Sequence, residues 1–240
     1  MKLILNERPK SPIVIEGFPG FGLVGTIATQ FLIKHLNARQ IGYISSEEQI
    51  PITAIHESKV IPPLSIFYDP KYNIVILHAL TGVNTFEWRI TDILLDLCKQ
   101  LKCKELISLE GIAASNPEKT SMFFYTNINE GRKKFAKLNM DPLKEGIVMG
   151  VSGALLLKSK TPLSCIFIES HVNIADSMAA ARIIEVLDKY LKLKVDFTPL
   201  MKTAQEFETK LRTIIQKNKE ITGMQQKSRE DSRQQLGYIG

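Results

Sequence analysis

Cysteine is scarce in this chain: Cys98, Cys103 and Cys165 are the only three among 240 residues. An odd number without paired C-x-x-C spacing excludes a disulfide framework and a zinc ribbon, and reads as reduced packing thiols. Histidine is as thin. His35, His56, His78 and His171 show no ligand spacing, so neither a metal site nor another cofactor is expected. No run of 18 apolar residues occurs, which excludes a membrane helix recognisable by hydropathy. The opening, MKLILNERPKSP, has no signal-peptide core or cleavage site, and a cytoplasmic protein is expected. Basic charge is not concentrated either. The net charge is +6, and residues 201–240 hold 8 Lys/Arg against 5 Asp/Glu. With no dense basic run interleaved with aromatics, nucleic-acid binding is not expected, although a mildly basic surface favours an acidic partner.

What the chain does have is alternation. Short Ile/Val-rich runs predict strands at Pro12–Glu16, Gln40–Ser45, Ile52–Glu57, Leu64–Tyr68, Asn73–Leu80, Glu105–Leu109, Gly146–Val151 and Ser164–Glu169. YNIVILHAL and LSCIFIES carry almost no polar alternation, which suits central strands covered on both faces. SMFFYTN is a further strand candidate. Apolar spacing of 3.6 predicts helices at Leu23–Leu36, Phe86–Leu101, Asn129–Leu138 and Ala175–Leu191, the last with Asp176 where it suits the helix dipole. The pattern predicts a three-layer α/β/α domain with a mixed, mostly parallel sheet. The mixed character comes from Ile50–Leu80, where strands follow one another without a long helix.

The character changes near the C-terminus. Residues 1–198 are expected to form the core domain. Residues 199–222 read as an amphipathic helix with Leu200, Ala204, Phe207, Leu211 and Ile221 on one side, ended by Gly223. Residues 223–240 read as a flexible polar tail that finishes on Leu236, Tyr238, Ile239 and Gly240. About 13 residues of coil before Leu236 would give a reach of roughly 20 Å.

Three stretches suggest chemistry. The first is SPIVIEGFPGFGLVGTIATQFLIKHL, in which Gly20-x-Gly22-x-x-Gly25 follows a strand and opens a helix, with Glu47 and Glu48 about 22 residues on. That spacing fits a dinucleotide turn, but Phe18, Pro19 and Phe21 crowd its mouth, and Pro19 removes an N–H that a phosphate would need. Gly17, Gly20, Gly22 and Gly25 therefore read better as backbone-shaping residues of a close-packed turn. The second is Gly150-Val151-Ser152-Gly153-Ala154, an approximate nucleophile elbow. Its acid and histidine, Glu169 and His171, lie too near Ser152 in sequence for an α/β-hydrolase triad. The third is Glu110-Gly111, which with Glu16-Gly17 places two acids at strand ends, where they could face each other across a crevice.

Taken together, EGFPGFGLVGTIATQFLIKHL, FEWRITDILLDLCKQLKCKELISLEGI and GIVMGVSGALLL resemble the proteasome assembly chaperone family, specifically its archaeal-type members, over roughly residues 1–222. The resemblance implies a nucleoside phosphorylase-like α/β/α fold without catalytic residues, no ATP use, homo-oligomerisation and binding to proteasome α subunits. It also directs attention to the end of the chain, since family members can terminate in hydrophobic–tyrosine–any residue. LGYIG departs from that pattern: Gly237 precedes Tyr238, and two residues follow it. The oligomer or partner surface is expected around Phe18 and Phe21 of the first turn, or Phe207 and Leu211 of the terminal helix. A nucleotide-binding or phosphorylase/hydrolase-like enzyme using the Gly17–Gly25 turn is the alternative.

Overall fold

The computed structural model describes residues 1–47, 53–56, 58–83, 85–113, 121–170, 175–196, 198–199 and 201–202. In chain order the strands are β1 (Lys2–Leu5), β2 (Ile13–Gly17), β3 (Arg39–Ser45), β4 (Ala54–His56), β5 (Lys59–Ile61), β6 (Leu64–Asp69), β7 (Ile74–Ala79), β8 (Glu105–Ala113), β9 (Met122–Thr126), β10 (Asp141–Pro142) and β11 (Leu163–Ser170). The helices are α1 (Val24–His35), α2 (Glu87–Leu101), α3 (Asn129–Lys137), α4 (Gly150–Lys158) and α5 (Ser177–Leu191). Among the described residues, nine strands form one sheet in the order β1-β3-β6-β7-β2-β8-β11-β9-β10, and β4 and β5 form a separate antiparallel pair.

The sheet is mixed, as the sequence suggests, but with more antiparallel pairing than expected. Four of its eight pairings are parallel: β7–β2, β2–β8, β8–β11 and β9–β10. The antiparallel flank arises where β6 and β7 are joined by a short turn, with no helix to carry the chain back. β1, which is not among the strands expected from sequence, closes that flank against β3.

Each face of the sheet is covered by its own helices. Val24, Ala28 and Leu32 of α1, Phe135 of α3 and Ile183, Ile184 and Leu187 of α5 pack on Ile15, Ile107 and Ile166. Ile90, Leu94 and Leu97 of α2 and Val151 and Leu155 of α4 pack on Val14, Leu106 and Phe167 from the other side. Alternate residues of one strand thus feed two cores, which is why β7 and β11 are buried along their whole length.

One expected strand is absent. Gly146–Val151 has no strand pairing; residues 146–149 are irregular and Gly150 opens α4. Its apolar residues do not enter the sheet, since Ile147 is 89% and Met149 is 64% exposed. Hydrophobicity alone cannot separate a buried strand from an apolar surface segment. Residues 198–199 and 201–202 are helical; the rest of the expected helix at 199–222, with Phe207 and Leu211, and the tail residues Leu236, Tyr238, Ile239 and Gly240 lie outside the described residues.

Candidate functional site

β2, β8 and β11 run parallel, and their C-terminal ends open onto a cavity of about 1140 Å³. Pro19, Gly20 and Phe21 enter it after β2, Glu110 to Ala113 line it from β8, and Glu169 from β11. Residues 141–150, running from β10 to the start of α4, form the remaining wall. This is the edge at which open α/β sheets place ligands. Its polar groups are mostly acids, Glu110, Asp141, Glu145 and Glu169, with Lys144 as a base.

The first turn owes its path to close backbone approaches. A Cβ on Gly17 would lie 2.2 Å from Gly25 O, and one on Gly25 would lie 2.5 Å from Leu109 O. Gly22 is left-handed at φ +64°, and a Cβ there would stand 1.9 Å from Ser170 Oγ. Asp176 fixes the same point: its N–H donates to Gly22 O at 2.8 Å, and its carboxylate accepts from Ser170 Oγ at 3.0 Å and Ala179 N at 2.9 Å. One residue therefore caps α5 with its carboxylate and ties the helix to the turn with its backbone N–H. Gly20 faces Glu110, whose Oε1 lies 2.4 Å from where a Cβ would be. A carboxyl group stands where a dinucleotide turn would present open backbone to a pyrophosphate, and side chains fill the space at Gly22.

Phe18 is a correction. It is only 7% exposed and belongs to the core beneath α2 and α4, so it offers no partner surface in this protomer. Register explains this: Gly17 and Phe18 continue β2, and the alternation that points Val14 and Glu16 to the α2/α4 side carries Phe18 there too. Phe21 is half-buried and lines the cavity.

Glu16 and Glu110, which by sequence could face each other across a crevice, lie on one face of the sheet and are linked through two serines; Glu110 lines the cavity, whereas Glu16 is buried beneath it and is not part of the lining. Glu16 pairs with Ser108 across β2 and β8, and Glu110 is two residues further on the same face. Ser152, from the first turn of α4, donates to Glu110 Oε2 at 2.7 Å and sits 2.8 Å from Ser108 Oγ. Burial pushes Glu16 up to about 8, against a lowering by the Ser108 hydroxyl and helped by the Glu110 charge. Burial likewise pushes Glu110 up to about 7, partly offset by Ser152. Ser152 is thus a buried hydrogen-bond relay between strand and helix; His171 lies outside the described residues. Sequence reading singles out Ser152 for a different role and misses Ser108, because the link exists only through strand register and helix placement.

On the opposite face, Thr29 of α1 donates to Gly25 O at 2.8 Å and meets His78 Nδ1 at 2.9 Å. The threonine proton is spent on the backbone, so Nδ1–H is the donor and Nε2 is left unprotonated. Nε2 is buried without a hydrogen-bond partner, and desolvation lowers His78 to about 4.

The chain is thus of the α/β/α class, with a glycine turn packed by Glu110, Ser170 and Asp176. The chain belongs to the PAC2 family, whose sequence profile matches residues 14–215. A solved relative is Pyrococcus furiosus PbaA, an archaeal homolog of proteasome-assembly chaperone. It is 31% identical, each chain is covered over 99%, and the TM-score is 0.80. Pyrococcus furiosus PbaB, an archaeal proteasome activator, shares the fold at 23% identity and TM-score 0.74, covering 89% of this chain and 98% of that one. An uncharacterized protein of Methanocaldococcus jannaschii is 30% identical over 216 residues, 87% of either chain. No helix among the described residues is long and apolar enough to cross a membrane.

Proposed function

We propose that this chain is a non-catalytic, ATP-independent proteasome assembly chaperone or core-particle binder that acts through proteasome α subunits in the cytoplasm as a homo-oligomer. The observation that carries the reading is the full-length likeness to PbaA, at 31% identity over 99% of both chains. The packed glycine turn supports it, because Glu110 stands against Gly20 and the Gly22 carbonyl accepts from Asp176 N–H, so the protein's own groups fill the space beside the turn.

In this reading residues 1–198 are the body, 199–222 a helix that presents Phe207 and Leu211, and 223–240 a tether ending in Leu236, Tyr238, Ile239 and Gly240. A tyrosine ring supplies apolar area and a hydroxyl, and a terminal carboxylate pairs with a lysine in the receiving pocket. Phe21, half-buried in the cavity lining, and the exposed Leu23 are the apolar side chains of the first turn open to a partner.

Pull-down with proteasome α subunits tests the reading. The full chain retains α subunits, and deletion of Leu236–Gly240 weakens retention without changing the melting temperature. Equal retention by both proteins would remove the tail from the mechanism; no retention by either would remove the proteasome. Titration calorimetry with NAD, ATP and nucleosides is expected to give no saturable heat.

A further inference from the structure

α2 ends in a residue with left-handed backbone, Lys102 at φ 53°, ψ 49°. Cys103 N–H donates back to Cys98 O at 2.9 Å, and Lys102 N–H to Lys99 O at 3.2 Å. This double bond pattern is the Schellman cap, which brings together the side chains of the first and last residues of the loop, normally as an apolar contact.

The same cap closes two other helices. Asn37 is left-handed after α1, where Ala38 N–H donates to Ile33 O at 2.9 Å; Asn139 is left-handed after α3, where Met140 N–H donates to Phe135 O at 3.2 Å. Those caps pair Ile33 with Ala38 and Phe135 with Met140, ordinary apolar contacts in the core on that face. Only after α2, among these three, are both positions thiols. Capping therefore does not require cysteine, and the pair is open to a chemical reading.

We propose that Cys98 and Cys103 are a paired oxidation site, in which a hydroperoxide oxidises the half-buried Cys103 and buried Cys98 then closes a disulfide across the cap of α2. Both side chains lie in one cluster, Cys98 inside it and Cys103 packed against it. The interaction of the two thiols pulls Cys103 down and, with burial, pushes Cys98 up, which favours the thiolate on the sulfur nearer solvent. Burial and the charge of Glu105 oppose that lowering at Cys103.

The chemistry balances with the hydroperoxide as oxidant. Cys103 thiolate attacks the terminal peroxide oxygen, the O–O bond breaks, and the alcohol or water leaves with a proton. Cys103 is then a sulfenic acid. Cys98 sulfur attacks Cys103 sulfur, the S–S bond forms, the S–O bond breaks, and hydroxide leaves as water with the Cys98 proton. Two thiols and one hydroperoxide give one disulfide, one alcohol (or water) and one water. The bridge holds Cys103 at a reducible stage and prevents its further oxidation to sulfinic acid.

The test treats the full chain with hydrogen peroxide, blocks remaining thiols with an alkylating agent, and maps tryptic fragments by mass spectrometry without reductant. Cleavage at Lys99, Lys102 and Lys104 separates the two cysteines, so the bridge appears as residues 90–99 joined to residues 103–104. That joined species, abolished by a phosphine reductant, is the expected result, with Cys165 on β11 left as thiol. In Cys98→Val, which puts a β-branched aliphatic side chain where the α1 cap has Ile33, Cys103 goes on to sulfinic acid. Cys103 over-oxidised while Cys98 remains alkylatable in the unaltered chain would overturn the proposal. So would thiols that stay unoxidised at a dose that converts free cysteine, or a Cys98→Val profile identical to the unaltered chain.

Discussion

Gly22 and Gly150 both have left-handed backbone, at φ +64° and +69°, yet they stand in opposite surroundings. Around Gly22 the nearest obstacle to a Cβ is Ser170 Oγ at 1.9 Å, with the Asp176 side chain at 3.0 Å; around Gly150 nothing lies within 4 Å. Gly22→Ala adds overpacking of about 1–3 kcal/mol to a left-handed backbone cost of about 1–2 kcal/mol. Gly150→Ala carries only the backbone cost, about 1–2 kcal/mol. Urea titration should show the Gly22 variant losing more stability than the Gly150 variant, by about 1–3 kcal/mol, at unchanged denaturant slope. Equal losses would mean that the Ser170–Asp176 contact yields without cost.

At the scale of elements, β2, β7 and β8 carry buried titratable groups with opposed pH behaviour. Glu16 and Glu110 are raised to about 8 and about 7 from an ordinary value of 4.5, so the folded chain keeps protons that the unfolded chain releases. Their contribution to stability is full below about pH 4.5 and is lost as pH rises through about 7 and then about 8. His78, lowered from 6.5 to about 4, contributes fully above pH 6.5 and loses that contribution as pH falls toward about 4. Between pH 4.5 and 6.5 the histidine offsets one acid; above 6.5 the acids act unopposed. Unfolding free energy should therefore decline from pH 6.5 to 8, at up to about 1.4 kcal/mol per pH unit for each proton involved. Glu16→Gln should flatten the upper part of that decline. A decline of the same steepness in Glu16→Gln would assign it to other groups.

For the whole molecule, the proposed function turns on how many tails act together. In that proposal a single five-residue terminus would bury little surface, and several carried by one oligomer would bind as a unit. A peptide of residues 223–240 should bind α subunits at least about 100-fold more weakly than the intact protein. Matching affinities, measured by the same surface-binding assay, would show that the body and its oligomeric state add nothing.

Some of this organisation is legible in the chain and some is not. The run at Ile74–Ala79 announces a central strand because it is apolar without alternation, and α2 announces itself by its 3.6 period. The apolar run at 146–149 misleads for the same reason that the others succeed, since hydrophobicity does not say whether it will meet a neighbour. Phe18 reads as a surface residue because it sits among glycines; the strand parity that buries it continues past the end of β2.

The sequence by itself determined the layers and the turn. Periods of about 3.6 and apolar runs select helices and covered strands, and Phe18, Pro19 and Phe21 within the glycine spacing already argue against a phosphate cradle. Those are local properties, set by residues a few positions apart. Tertiary structure alone decided what the glycines touch. Glu110, Ser170 and Asp176 reach the turn from 90 to 154 residues away, counted from Gly20 and Gly22. Ser108 and Ser152 join Glu16 to Glu110 only because two strands pair in one register and α4 packs above them. Such contacts are fixed by the burial of both sheet faces at once, a global condition that no short stretch of residues expresses.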